Sequence, residues 1–179
     1  MDDKPELHGL LAEYLTPEAV VEAARRAYAQ GYRKMDAYSP LPVDGLAEAI
    51  GFTHNRLPVL VLIGGLIGAA TAIGMMYYSS VINYPINIGG RPLASWPAWV
   101  PITFELTILF ASLTAVLGML GLNGLPMPYH PVFNAPGFAT ASRSRFFLCI
   151  EARDPQFDRA ETRRFLETLG PKTVVEVQP

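Results

Sequence analysis

The chain has 179 residues, half of them hydrophobic and 17% charged, against about 25% charged in an ordinary soluble domain. Net charge is −2, and no basic stripe offers a face to nucleic acid, so no nucleic-acid partner is expected. One cysteine, Cys149, excludes an internal disulfide, a CxxCH haem attachment and a cysteine-ligated cluster, so no cofactor is expected on this chain.

Charge is also unevenly placed. No charged residue occurs between Arg56 and Arg91, and Glu105 is the only one between Arg91 and Arg143. The polar segments are therefore the two ends, residues 1–56 and 123–179. The opening MDDKPELHGLLAEYLTPE is acidic and shows neither a basic leader nor a cleavable apolar core. No signal peptide is expected, and the first apolar helix is expected to direct insertion.

In the first polar segment, Leu7 to Leu15 reads as a strand. Thr16-Pro17-Glu18 reads as a helix start: the threonine can accept from free backbone N–H groups, proline suits the first helical position and glutamate complements the positive end of the dipole. Val20, Val21, Ala24, Ala27 and Tyr28 share one helical face. Gly31 fits the left-handed position that ends a helix. Tyr32 to Tyr38 reads as a second strand, closed by Ser39-Pro40-Leu41-Pro42, and Leu46 to Ile50 as a short helical turn.

Two long apolar segments follow. Residues 57–81 form the first expected span, uncharged throughout, and residues 100–122 the second, with Pro101 near its start and Asn123-Gly124-Leu125-Pro126 at its end. A bilayer core needs about 20 helical residues. The head to Arg56 carries six Lys and Arg, the tail after Leu122 seven, and the connecting loop, residues 82–99, only Arg91. The positive-inside rule then places both ends in the cytoplasm. Tyr77, Tyr78, Tyr84, Trp96 and Trp99 cluster around the opposite interface, where amphipathic rings settle.

The second polar segment repeats the order of the first. Phe146 to Glu151 reads as a strand, Asp154 or Asp158 starts a helix with Phe165, Leu166 and Leu169 on its apolar face, Gly170-Pro171 ends it, and Thr173 to Val177 is a strand. Two βαβ halves make a ferredoxin-like sandwich, because a lone βαβ unit cannot cover its own apolar faces. The fold expected is thus α+β: a two-helix transmembrane hairpin inserted in a ferredoxin-like cytoplasmic domain.

Few residues invite chemistry. Glu105 is the only ionisable group inside a span; proton handling is one reading, and a hydrogen bond to a neighbouring subunit or loop is the other. Gly64 and Gly68, continued by Ala72, and Ala111, Ala115 and Gly118 of the second span, put small residues at helix-packing spacing, which suits the hairpin itself or a partner. His54 and His130 fall near the expected inner surface, where ordinary capping outweighs a shared metal or quinone-headgroup role. Cys149 reads as a small core residue. Ser39, Ser142 and Ser144 show no partnered base, and no phosphate-binding glycine motif is present. The loop from Asn83 to Pro97 is rich in turn formers and aromatics and reads as ordered against another protein, with Arg91 as an anchor. Candidate subunit-contact residues are accordingly Arg91, Trp96, Trp99, Gly64 and Gly68. A part of a small multi-subunit transporter, or a membrane-tethered ligand sensor, fits the same outline.

Longer motifs resemble a known family. The runs Tyr84 to Pro97 (YPINIGGRPLASWP), Pro101 to Leu106 (PITFEL), Asp36 to Leu46 (DAYSPLPVDGL), Leu125 to Phe133 (LPMPYHPVF) and Arg145 to Ile150 (RFFLCI) resemble the small D subunit of alternative complex III over almost the whole chain. The family often carries a histidine where this chain has Asp44. The resemblance implies a bacterial inner-membrane complex that oxidises quinol and passes electrons to a periplasmic cytochrome or directly to a terminal oxidase. Haems c, iron–sulfur clusters and the quinol site would belong to partner subunits. This chain would be a two-helix accessory subunit, assisting assembly and stability, in contact with the lipid bilayer and the other subunits.

Overall fold

No strand of the head pairs with another strand of the head. The computed structural model describes residues 7–179, so the first residues of the acidic opening lie outside it. Its strands are β1 (Gly9–Tyr14), β2 (Met35–Tyr38), β3 (Phe146–Glu151) and β4 (Thr173–Val177). They form one sheet in the order β2-β3-β1-β4, with every neighbouring pair antiparallel. β1 faces Ile150 with Leu10, and Leu148 and Val174 with Ala12; β2 faces Leu148 with Ala37. Each head strand finds its partners only in the tail, so residues 7–54 and 128–179 are one unit by necessity of hydrogen bonding. The middle strands β1 and β3 are buried on both faces, which is why FFLCIE is a continuous apolar run instead of an alternating one.

One face of the sheet is covered by α1 (Pro17–Gln30) and α5 (Arg159–Thr168). Thr16 caps α1, its Oγ1 accepting from the Ala19 N–H at 3.3 Å, and Gly31 closes it at φ 113°, where a side chain would be strained. The buried face of α1 is Val20, Ala23, Ala24 and Ala27. Tyr28 turns outward, and the Arg33 guanidinium lies 3.9 Å from its ring centre. Asp158 caps α5, accepting from Ala160 and Glu161 at 2.9 and 2.8 Å. Leu10, Tyr14, Val20, Leu148, Ile150 and Leu166 fill this layer. Burying each large aliphatic side chain contributes roughly 1.5–3 kcal/mol.

The other face is covered by the segment that leads into β3. Two 3₁₀ turns, Pro131–Asn134 and Phe138–Ser142, lay Val132 and Phe138 over Leu11, Phe147, Cys149 and Val177. A short α2 (Leu46–Ala49) adds Leu46 and Ala49 to the helix-side core.

Residues 55–127 form the second unit. α3 (Leu57–Tyr77) continues through a π-helical turn, Tyr78–Asn83, and α4 is Trp96–Leu122. Each run is 27 residues, long and apolar enough to cross a membrane. At 1.5 Å per residue that is about 40 Å, against a hydrocarbon core of about 30 Å. α4 begins before the start expected at Val100, because Pro97 sits harmlessly in the first turn and Pro101 is tolerated inside the helix. The hydroxyls of Thr71, Ser79, Thr103, Thr107 and Ser112 each donate to the carbonyl four residues earlier. Each of these five hydroxyl protons is thus satisfied by its own helix.

Candidate functional site: the faces of the hairpin

α3 and α4 approach through small residues. A Cβ at Gly64 would run into the side chain of Thr114, and one at Gly68 into the Leu106 carbonyl and the Phe110 Cβ. Gly65 lies over Thr107 and Ala111, and Gly118 under Leu57. Both Gly64 and Gly68 therefore spend their close-approach surface inside the hairpin. Ala72, Met76 and Trp99 close the seam at one end, with Leu106 packed against them.

The seam fixes what points elsewhere. On α4 the residues turned to α3 are Trp99, Leu106, Thr107, Phe110, Ala111, Thr114 and Gly118. Glu105 lies roughly 170° round the helix from the middle of that row. It is exposed, and no hydrogen bond or ion pair holds it among the described residues. A bare carboxylate within a membrane span costs roughly 2.5–3.5 kcal/mol on insertion scales. The same outward face carries Ile108, Leu109, Ser112 and Val116. On α3 the outward face carries the aliphatic Val59, Leu62, Ile63, Leu66, Ile67 and Ile73, and the exposed Thr71 hydroxyl is bonded to the Ile67 carbonyl.

The loop residues separate. Trp99 is buried, edge-on to Tyr77 with ring centres 6.4 Å apart, whereas Trp96 is 70% exposed. The Arg91 side chain is exposed and without a partner among the described residues, at a hollow of about 300 Å³ shared with Ser79, Ser80 and Tyr84. The structure thus brings Gly64, Gly68 and Trp99 into the hairpin seam and leaves Glu105, Arg91 and Trp96 facing out.

In the sheet unit, His130 meets His8 edge-on, 5.3 Å between ring centres, and its Nδ1 accepts weakly from the Val132 N–H at 3.4 Å. Burial lowers the His8 pKa, partly opposed by the Glu151 carboxylate. His54 bonds its neighbour Thr53 at 2.9 Å. No three His, Cys, Asp or Glu side chains among the described residues come together to hold a metal ion. Asp44 lines a shallow groove of about 590 Å³ with Glu18, Glu22 and Arg25. Burial, then the Asp36 and Glu151 charges, push the Cys149 thiol up to about 12, the environment of an inert core residue.

The outward direction of Glu105 and the tethering role of Asp154 escaped the sequence. Asp154 accepts from the backbone N–H groups of Arg33, Lys34 and Gln156 at 2.6, 2.7 and 2.9 Å. It ties the end of β3 to the start of β2. The spacing of Gly64, Gly68, Ala111 and Gly118 carries a signal for Glu105, since it defines a seam that excludes position 105.

The profile of the family described as alternative complex III, ActD subunit, matches residues 8–176, nearly the whole chain. The chain belongs to that family. It is therefore a subunit of a respiratory electron-transport complex, and the other subunits of alternative complex III are its partners. No curated protein matches the chain.

Proposed function

We propose that this ActD-family chain is a non-catalytic membrane subunit that supports assembly and stability of a quinol-oxidising complex in a bacterial inner membrane. Its two long helices cross the bilayer as a hairpin, with both termini cytoplasmic. The charge distribution supports this topology: six Lys and Arg in the head and seven in the tail flank an apolar middle whose connecting loop has one. The sheet unit is a ferredoxin-like domain split by the hairpin. Its support is the order β2-β3-β1-β4 with antiparallel neighbours, in which β1-α1-β2 and β3-α5-β4 each leap over one strand. Haems c, iron–sulfur clusters and quinol sit in the partner subunits.

The observation that carries this reading is how the hairpin uses its side chains. Small residues are consumed in its own seam, and the outward surfaces are apolar with a single carboxylate, a surface built to be covered. The experiment is purification of the complex from a strain lacking this chain, with specific activity measured per haem. The expected result is a lower yield of assembled complex with near-normal turnover in what remains. Normal yield with abolished quinol oxidation would assign the chain a catalytic part instead.

A further inference from the structure

We propose that the outward face of α4, centred on Glu105, is the docking surface for a membrane helix of another subunit that presents a hydrogen-bond donor to the Glu105 carboxylate. This rests on the reading of the chain as a membrane-spanning subunit of the complex.

Depth is the first part of the argument. Glu105 is nine residues into α4 from Trp96, about 13 Å along the axis. A 27-residue helix centred on a core of about 30 Å leaves about 5 Å outside at each end, so the carboxylate falls about 8 Å inside the hydrocarbon. Trp96, exposed at the helix start, sits where the aromatic belt belongs. A long basic side chain at that depth can reach the interface, but a glutamate with two methylenes cannot span the distance.

The second part is the contrast between the two outward faces. α3 turns Leu62, Leu66 and Ile67 away from the hairpin, a surface that lipid tails satisfy as well as protein does. α4 turns out the one acidic or basic side chain of either helix, and the hairpin offers it nothing: the hydroxyls nearest in sequence, on Thr103 and Thr107, are spent on their own helix carbonyls. The lone carboxylate therefore selects a partner surface with complementary polarity, and it selects α4 over α3. A donor-bearing helix also fixes register, because sliding by one turn would strand both groups in hydrocarbon.

The test uses the whole complex in native membranes. A photo-crosslinking phenylalanine derivative is placed at Ile108, one turn from Glu105 on the outward face, and in a second strain at Leu62 on α3. Ile108 is expected to crosslink to another subunit in high yield, and Leu62 predominantly to lipid. In parallel, Glu105→Leu should lower retention of this chain in the detergent-purified complex on the order of tenfold, while Glu105→Gln, which still accepts a hydrogen bond, should retain several-fold more than the leucine variant. Crosslinks from Ile108 only to lipid, or only to a second copy of this chain, with the complex intact would overturn the docking proposal and leave the membrane-subunit reading standing. Full retention of Glu105→Leu would overturn it too. Failure of the unmodified chain to co-purify with other subunits would overturn both.

Discussion

Tyr32 and Thr162 share a buried hydrogen bond, 3.0 Å between their hydroxyl oxygens, across 130 positions of sequence. Thr162 is fully buried and also accepts from the Asp158 N–H at 3.2 Å. One side chain thus joins the end of α1 to the cap of α5. Thr162→Val should strand the Tyr32 hydroxyl and the Asp158 N–H, costing about 2 kcal/mol, while Tyr32→Phe, which leaves Thr162 its second partner, should cost about 1 kcal/mol. Urea unfolding of the detergent-solubilised chain, with the double variant included, checks this. Strictly additive losses would show that the two hydroxyls do not interact.

The local signals around this contact were legible and the distant ones were not. Thr16 and Gly31 bound α1 because capping depends on residues within one turn. The choice between Asp154 and Asp158 as the start of α5 could not be made locally. Asp158 won because the Asp154 carboxylate is occupied by N–H groups from Arg33 and Lys34, about 120 residues away in sequence. The same bonds explain why β2 starts at Met35 and not at Tyr32. The Tyr32 N–H closes α1 on Ala27, and the next two N–H groups are taken by Asp154. The 3₁₀ segment over the second face of the sheet has no periodicity to read, since its turns are short and held by Val132 and Phe138 dropping into a surface made elsewhere.

Asp154 gives the chain a pH dependence. Burial opposes its ionisation, but the N–H groups of Lys34, Arg33 and Gln156, with the Arg33 charge, outweigh burial and hold the carboxyl below the usual carboxylate range. A depressed folded pKa stabilises fully above the unfolded value, about 3.9, and that contribution is lost as pH falls through the lower folded value. The parent should therefore lose urea resistance below about pH 4. Asp154→Asn should be less stable at pH 7 and fall less steeply in acid. Parallel acid curves for parent and variant would dismiss Asp154 as the source.

The hairpin seam predicts unequal tolerance among its glycines. Gly68→Ala drives a methyl into the Leu106 carbonyl and to 2.9 Å from the Phe110 Cβ, and backbone cannot rotate aside. Loss of about 1–3 kcal/mol is expected as the helices separate. Gly74 has nothing within 4 Å of a built Cβ, so Gly74→Ala should be neutral or stabilising by up to about 1 kcal/mol. Thermal unfolding in mild detergent compares them. Equal melting temperatures for the two variants would mean that the helices do not approach through Gly68.

Topology can be read with one engineered thiol, because the native one is silent. Cys149 is 1% exposed in the sheet core, and burial, with the Asp36 and Glu151 charges, pushes its thiol up to about 12. Only the thiolate attacks a maleimide, so a thiol kept protonated and shielded in the core stays unlabelled at neutral pH. Ser95 precedes α4 and makes no capping hydrogen bond, so Ser95→Cys should leave the fold intact. A membrane-impermeant maleimide added to spheroplasts should label Ser95→Cys and leave the parent blank, and inverted vesicles should show neither. Labelling of Ser95→Cys only in inverted vesicles would reverse the topology, with the loop of Arg91, Trp96 and the π-helical turn on the cytoplasmic side. Labelling of the parent in inverted vesicles would instead break the sheet assignment, since Cys149 stands opposite Leu11 of β1 and Asp36 of β2, where only a folded sheet hides it.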